Sequence, residues 1–463
     1  MLGGILKFFI GFSSFFSVQI VEGYTKRNIA VIGGGVSGLT AANELSNYGY
    51  NVTLFEKNDV IGGRMQQLKK KGFTFDMGPS WYWMPEIYEK IYNHLGYDMP
   101  YNLTRLDPAY RVFRGNRNYN DIPGNMQDFI RWANESGEVC EGGVEAFFND
   151  SRGKYNYVVN DWIWRYTDSV WDLFSPTLIW NGLYYKLFGS LNTWIKDVTN
   201  SAIVRLALKW PVIFIGISPN ESPSLWSFLS YASTETFYPD GGMTAPIETL
   251  KKIANDSGVH IRLNSEITSL KIYGNRIYSV CDNNMFCLNV DGVVAAADYH
   301  HVEQELLPRK FRTYDSKWWD NQVLSPSCLV FYLGFNKKLQ HLLHHNFFFD
   351  KELDHYIHNI FGDGDGDGDG DGDGDGSDGF PFYVSVTSKT DLNVAPDGGE
   401  TVFVLVPFNY NVDDSKDTQT FRKHILNIIL KKISNIGVFG DKCCKNTCNW
   451  FEYNFMNCYF NDC

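Results

Sequence analysis

The sequence predicts an α/β protein, in which a Rossmann-like dinucleotide-binding domain is combined with a discontinuous α+β domain. Three observations predict this. A short apolar run, Ile29-Ala30-Val31-Ile32, leads into Gly33-Gly34-Gly35-Val36-Ser37-Gly38 and then a helical pattern from Leu39 to Tyr48. A second run, Asn51 to Phe55, ends on Glu56, eighteen positions after Gly38. Strand and helix patterns of the same kind return between Phe237 and His301, so the first domain is completed by a distant stretch.

Each element has a local reason. Ile29–Ile32 is an unbroken apolar run, the pattern of a strand buried on both faces. Gly33 allows the tight turn that follows, Gly35 lets backbone N–H groups approach a pyrophosphate, and Gly38 lets helix and strand pack closely. Val36 and Ser37 then fall in the first helical turn, where unpaired N–H groups and the helix dipole favour an anion. Glu56 is placed to accept hydrogen bonds from ribose hydroxyls. A glycine-rich turn alone is weak; the strand before it, the helix after it and the acid at this spacing make it strong.

Further along, Met243 to Asn255 has helical spacing and His260 to Asn264 reads as a strand. Ile267 to Leu288 alternates like a hairpin turning at Gly274-Asn275, and Gly292 to Ala297 is another buried strand. Gly62-Gly63-Arg64 lies just past the ribose-binding acid. A guanidinium beside glycine backbone suits a second approach to the phosphates of a flavin dinucleotide, so FAD is favoured over NAD.

The run Glu56-Lys57, Gly62-Gly63-Arg64 and Gly72-Phe73-Thr74-Phe75-Asp76-Met77-Gly78-Pro79-Ser80 resembles the carotenoid desaturases of the bacterial phytoene desaturase type, within the FAD-dependent amine oxidase superfamily. Trp210 to Gly216, Tyr238 to Met243, Ala296 to His301 and Tyr332 to Lys337 are similar to internal landmarks of that family. The likeness runs from about Asn28 to about Pro407. It implies an FAD-binding domain over residues 25–98 and 237–301, and a substrate domain over 100–236 and 302–436. It implies cofactor contacts by Gly33, Gly35, Val36, Ser37, Gly38, Glu56, Lys57, Gly63, Arg64, Met65, Pro79 and Ser80, with adenine-side backbone contacts near Ile267. Its substrate would be a long apolar isoprenoid, and quinone or oxygen would take the electrons.

Composition bounds the remaining choices. At 463 residues the chain can bury a large core, and its formal charge of −12 argues against a nucleic-acid surface. Seven Asp residues alternate with Gly between Gly362 and Gly376, and setting them aside leaves −5. Residues 362–379 are therefore expected as a solvated, extended loop rather than a calcium site, since no aliphatic positions are present to stack repeats. Aromatic content of 16% is high, with Trp162, Trp164, Trp171, Leu173, Trp180 and Trp194 at mixed helical spacings, which suits a large apolar cavity or a surface touching lipid.

Residues 1–24 stand outside the cofactor fold. Leu2 to Val21 is mostly apolar with Lys7 as its one charge, the pattern of a leader of the secretory or organellar (plastid-like) kind, or of a membrane anchor. Peripheral membrane association is expected, and Leu206 to Ile217 is too short to span. Cys140, Cys281, Cys287 and Cys328 read as ordinary small residues. The tail, 437–463, holds Cys443, Cys444, Cys448, Cys458 and Cys463 without a C-x-x-C pair, so no metal site is expected.

The chemistry implied by the resemblance is removal of two hydrogens from adjacent carbons, hydride passing to the flavin. No side chain is singled out as catalytic, and His300-His301 reads as a capping or packing pair. The family's closing Gly- and Pro-rich segment has no match after Phe408, which implies weak FAD binding by the polypeptide as written. A carotenoid isomerase using reduced FAD, a non-catalytic remnant and, more remotely, an amine oxidase are the rival readings.

Overall fold

The computed structural model describes residues 26–115, 118–165, 189–322, 325–349, 356–357, 360–361, 380–408, 418–436 and 448–456, the last by backbone alone. The leader, the Gly–Asp tract, Trp171, Leu173, Trp180, Cys443, Cys444, Cys458 and Cys463 lie outside the described residues.

A four-stranded parallel sheet carries the nucleotide-binding half, in the order Gly292–Ala295, Asn28–Ile32, Asn51–Phe55, His260–Arg262. Ile29 pairs with Gly292, Asn28 with Asn51, and Thr53 with His260. Successive side chains of a strand point to opposite faces, so an unbroken apolar run means that both faces are covered. On one face Val31, Val52 and Leu54 pack with Leu39 of helix Val36–Asn47 and Ile247, Leu250 and Ile253 of helix Ala245–Asp256. On the other, Ala30, Ile32 and Phe55 pack with Ile267 and Val280 of the hairpin Ile267–Tyr273 and Arg276–Asp282. The distant stretch thus completes both the sheet and its cover.

One cysteine expectation is corrected. Cys281 and Cys287 are not separate small residues but a disulfide joining strand Arg276–Asp282 to Cys287–Asn289. They occupy directly opposed positions of antiparallel strands, with Cα atoms 4.1 Å apart, a separation that only the fold reveals.

The second half is built on a seven-stranded sheet. Its order is Cys448–Met456, Ser327–Phe335, Glu400–Phe408, Phe382–Ser385, His345–Phe349, Tyr110–Arg114 and Asn118–Ile122. One face, with Leu329, Phe331, Phe348 and Val404, is backed by Ile425, Leu426, Ile429 and Ile433 of helix Thr418–Ile436, a stripe at helical spacing. The other, with Val330, Tyr332, Phe347 and Tyr383, joins an aromatic core shared with helices Gly143–Asn160, Leu191–Val198 and Ala202–Phe214. Among the described residues no helix is long and apolar enough to cross a membrane, and no cluster of side chains could hold a metal ion. The fold is α/β, a Rossmann-like domain with a discontinuous α+β domain.

Candidate cofactor and active site

The glycines of the first turn divide by what surrounds them. Gly33 has φ +105°, and a Cβ there would lie 2.5 Å from the Ala296 carbonyl oxygen. A Cβ on Gly38 would lie 1.9 Å from the Gly33 oxygen. Both positions close the fold on itself. Gly35 is different: its nearest neighbour would be the Gly63 Cα, 3.8 Å away. Gly35 is also the N-cap of helix Val36–Asn47, and it supplies no side chain to satisfy the first N–H groups, those of Val36, Ser37 and Gly38. An open cradle beside unpaired donors at a helix N-terminus fits a pyrophosphate.

Glu56 ends the second strand, buried at 5% exposure. Its Oε2 accepts from the Gly34 N–H at 2.7 Å and its Oε1 from the Asn58 N–H at 3.0 Å. Each carboxylate oxygen retains a second lone pair, so it can fix the glycine loop and still accept a ribose hydroxyl. Lys57 beside it is exposed. Ser265 and Asn264 donate backbone N–H groups to the carbonyls of Glu56 and Asn58, each at 2.9 Å, which brings the segment before Ile267 to the acid. The Ile267 side chain itself is buried in the core.

The Gly-Gly-Arg turn lies directly on this cradle. The Gly62 N–H donates to the Gly34 carbonyl at 2.9 Å, and a Cβ on Gly63 would stand 3.2 Å from the Gly35 Cα. Arg64 is exposed and Met65 is buried in the core. A Cβ on Gly78 would fall 2.0 Å from the Arg64 carbonyl oxygen, so Gly78-Pro79-Ser80 presses against that turn. Gly35, Gly63, Arg64 and Gly78 thereby form one continuous backbone path from the helix N-terminus to Ser80. Buried Asp76 braces it from behind: its carboxylate accepts from Tyr238 Oη (2.8 Å), Gln67 Nε2 (3.0 Å) and the Met243 N–H (3.1 Å). Burial pushes this carboxyl above its ordinary range, against the pull of those three donors.

At Ser80 the surroundings turn aromatic. Trp81 packs against Trp210, Tyr110, Phe214, Phe347 and Tyr383 with ring centroids 4.5 to 6.0 Å apart, and stacks on His345 at 3.7 Å. Ser80 Oγ accepts from Tyr383 Oη at 2.9 Å, and that same oxygen lies 2.6 Å from His345 Nδ1. Burial holds His345 and its neighbour His344 well below the ordinary histidine range, so both are neutral.

The structure therefore brings Gly33, Gly35, Val36, Ser37, Gly38, Glu56, Gly63, Arg64, Pro79 and Ser80 together along one path, with Met65 beneath it. His300-His301 sits apart; Asp298 caps its turn by accepting the His301 N–H at 2.7 Å. Sequence reasoning missed Asp76, Trp81, Tyr383 and His345. The available signal was a histidine pair, His344-His345, leading into the strand His345–Phe349.

The family model described as an NAD(P)-binding Rossmann-like domain matches residues 31–97, the stretch that carries the cradle, Glu56 and the Gly-Gly-Arg turn. The chain is 31% identical over 409 residues to a carotenoid 3,4-desaturase of Haloarcula japonica, covering 86% of this chain and 80% of that protein. It is 27% identical over 389 residues to a 4,4'-diapophytoene desaturase of Staphylococcus haemolyticus, covering 82% of this chain and 75% of the relative. Among solved structures, an oxidoreductase from Methanosarcina mazei superposes with a TM-score of 0.57 at 16% identity, over 93% of this chain and 88% of the other. A putrescine oxidase triple mutant does so with 0.53 at 13% identity, over 89% and 81%. At such identities the likeness to solved structures is one of fold alone. With the desaturase relatives aligned across both halves of the molecule, the chain belongs to the carotenoid desaturase family of FAD-dependent oxidoreductases.

Proposed function

We propose that this enzyme desaturates a carotenoid precursor such as phytoene, drawing two hydrogens from adjacent saturated carbons beside a polyene. One observation carries the reading: the backbone path that starts at the pyrophosphate cradle ends, at Ser80-Trp81, on a wall of aromatic side chains. A long hydrocarbon offers no polar handle, so a site for it must be lined by apolar and aromatic groups. FAD, when bound, supplies the capacity to accept a hydride. The chain's own residues do the rest. Gly35, Val36 and Ser37 seat the pyrophosphate, Glu56 holds the ribose, and Gly63 and Arg64 cover the phosphates. Pro79 and Ser80 mark where the aromatic cluster begins, and side chains of that kind would exclude water and align the carbon chain.

The substrate resides in lipid, which supports peripheral contact with a membrane, and quinone or oxygen would reoxidise the cofactor. The disulfide Cys281–Cys287 supports an oxidising compartment, and so the secretory form of the leader over the organellar one.

Expression in a phytoene-accumulating host tests the proposal. New conjugated double bonds with a red-shifted pigment spectrum are expected. An extract with an unchanged bond count would point to isomerisation and overturn it.

A further inference from the structure

We propose that the disulfide Cys281–Cys287 positions the ribose acid Glu56, so that FAD binding tightens when the bond forms and weakens when a dithiol reduces it. This rests on the reading that Glu56 holds the ribose of FAD.

A continuous run of hydrogen bonds joins the two. The disulfide closes the turn 282–286, and Asp282 Oδ1 shapes that turn by accepting the N–H groups of Asn284 and Phe286, each at 2.9 Å. The turn grips the neighbouring segment. The Asn283 N–H donates to the Glu266 carbonyl at 2.8 Å, and Asn284 Nδ2 donates to the Asn264 carbonyl at 2.8 Å. That segment holds the acid in turn, through the Asn264 N–H on the Asn58 carbonyl and the Ser265 N–H on the Glu56 carbonyl, each at 2.9 Å. Asn58 closes the run on the carboxylate, its N–H donating to Glu56 Oε1 at 3.0 Å. A second contact runs alongside. The Arg262 guanidinium lies over the Phe286 ring, 3.8 Å from its centroid, and the Arg262 carbonyl accepts the Glu56 N–H at 2.9 Å.

The covalent bond keeps the turn in place. Cys287–Asn289 is three residues long and stands at the edge of its three-stranded sheet. Residues Asn283 to Cys287 are all exposed. Short edge segments with exposed backbone hydrogen bonds open at low free-energy cost. Once the bond is reduced, strand and turn open together, and the segment 264–266 loses its support. The Gly34 N–H stays on Glu56 Oε2, so the fold persists while the side of the acid that faces Asn58 loosens.

The exchange balances. Cys287 is exposed and Cys281 is buried, so a dithiol thiolate attacks Cys287 Sγ and Cys281 Sγ leaves. The second thiol of the reductant then attacks its partner sulfur in the mixed disulfide and releases Cys287. Two electrons pass to the protein, both thiol protons end on its cysteines, and the reductant departs as a cyclic disulfide. Coupling is reciprocal: bound FAD resists reduction of the bond by the factor that reduction costs FAD affinity.

The test uses the full-length, flavin-free protein titrated with FAD, oxidised and after full reduction by dithiothreitol. The dissociation constant is expected to rise roughly tenfold on reduction, and FAD is expected to shift the dithiol midpoint of the bond by the same factor. The double variant Cys281→Ser, Cys287→Ser is expected to bind FAD like the reduced protein and to ignore reductant, which separates this pair from the other cysteines. Hydrogen exchange supplies a readout without cofactor: the amides of Asn58, Asn264 and Ser265 are expected to quicken on reduction, while that of Val31 in the central strand is not. A change in affinity below about twofold in the folded, reduced protein would overturn the proposal. So would quickening shared equally by Val31, which marks a general loss of stability. If the oxidised protein binds no FAD, the cofactor reading fails, and the exchange rates alone uphold or reject the positioning of Glu56. If the double variant misfolds, reduction of the wild type gives the same comparison.

Discussion

Gly63 rests its backbone against Gly35, so close that a Cβ on Gly63 would approach the Gly35 Cα to 3.2 Å. Two loops that the sequence separates by twenty-eight positions thus make one cradle, in which every missing side chain has a separate reason.

The difference between Gly35 and Gly38 predicts opposite phenotypes. Gly35→Leu fills open space beside the helix N-terminus, so flavin binding is expected to be lost with little change in the melting temperature of the flavin-free protein. Gly38→Ala drives a methyl into the Gly33 carbonyl and is expected to destabilise the fold by roughly 3 kcal/mol or more. Flavin absorbance and thermal melting of both variants check this. A Gly35→Leu protein with wild-type flavin content would refute the placement of the pyrophosphate.

Glu56 serves the fold and the cofactor together. Glu56→Gln keeps an acceptor but loses the carboxylate, and FAD affinity is expected to fall about tenfold, the loss of about 1.4 kcal/mol. Glu56→Ala leaves the Gly34 and Asn58 N–H groups without their acceptor and is expected to cost roughly 1–3 kcal/mol of stability in addition. Equilibrium unfolding separates the two variants.

The buried pair His344 and His345 makes stability fall with acidity. In the unfolded chain these residues titrate near 6.5; in the fold burial pushes His344 down to about 3 and His345 well down. The unfolded state therefore binds more protons, and stability is lost as pH falls below 6.5 towards the folded values. Each histidine is expected to contribute a slope of about 1.4 kcal/mol per pH unit in that window. Denaturant unfolding between pH 7 and pH 5 measures it, and His344→Asn should flatten the dependence by about one histidine's share.

The disulfide Cys281–Cys287 closes a short loop. The double substitution to Ser is expected to cost roughly 2 kcal/mol by loop entropy. Peptide mapping of protein purified without reductant should recover the two strands as one linked fragment. Recovery of both cysteines as alkylatable thiols would refute the bond.

The Rossmann half was readable because its signals are local. A strand ending in Gly33, a helix opening at Gly35 and an acid at Glu56 each follow from backbone sterics and hydrogen-bonding needs within a few residues. Even the return of the chain at 260–297 was legible from its helix and strand patterns, although Gly292–Ala295, expected as a buried strand, lies at the edge of the sheet and is only half-buried. What the linear order could not show was which groups meet across hundreds of positions. Nothing local distinguishes Asp76 from any strand-end acid until Tyr238 is brought to it. His345 looks like a packing histidine until Tyr383 is brought within 2.6 Å of its Nδ1 and Trp81 stacks on its ring. Cys281 and Cys287 read as bystanders because opposition across a hairpin depends on register. Short-range geometry is written in neighbouring residues; the pairing of distant polar atoms arises only when packing removes water and forces each to find a partner.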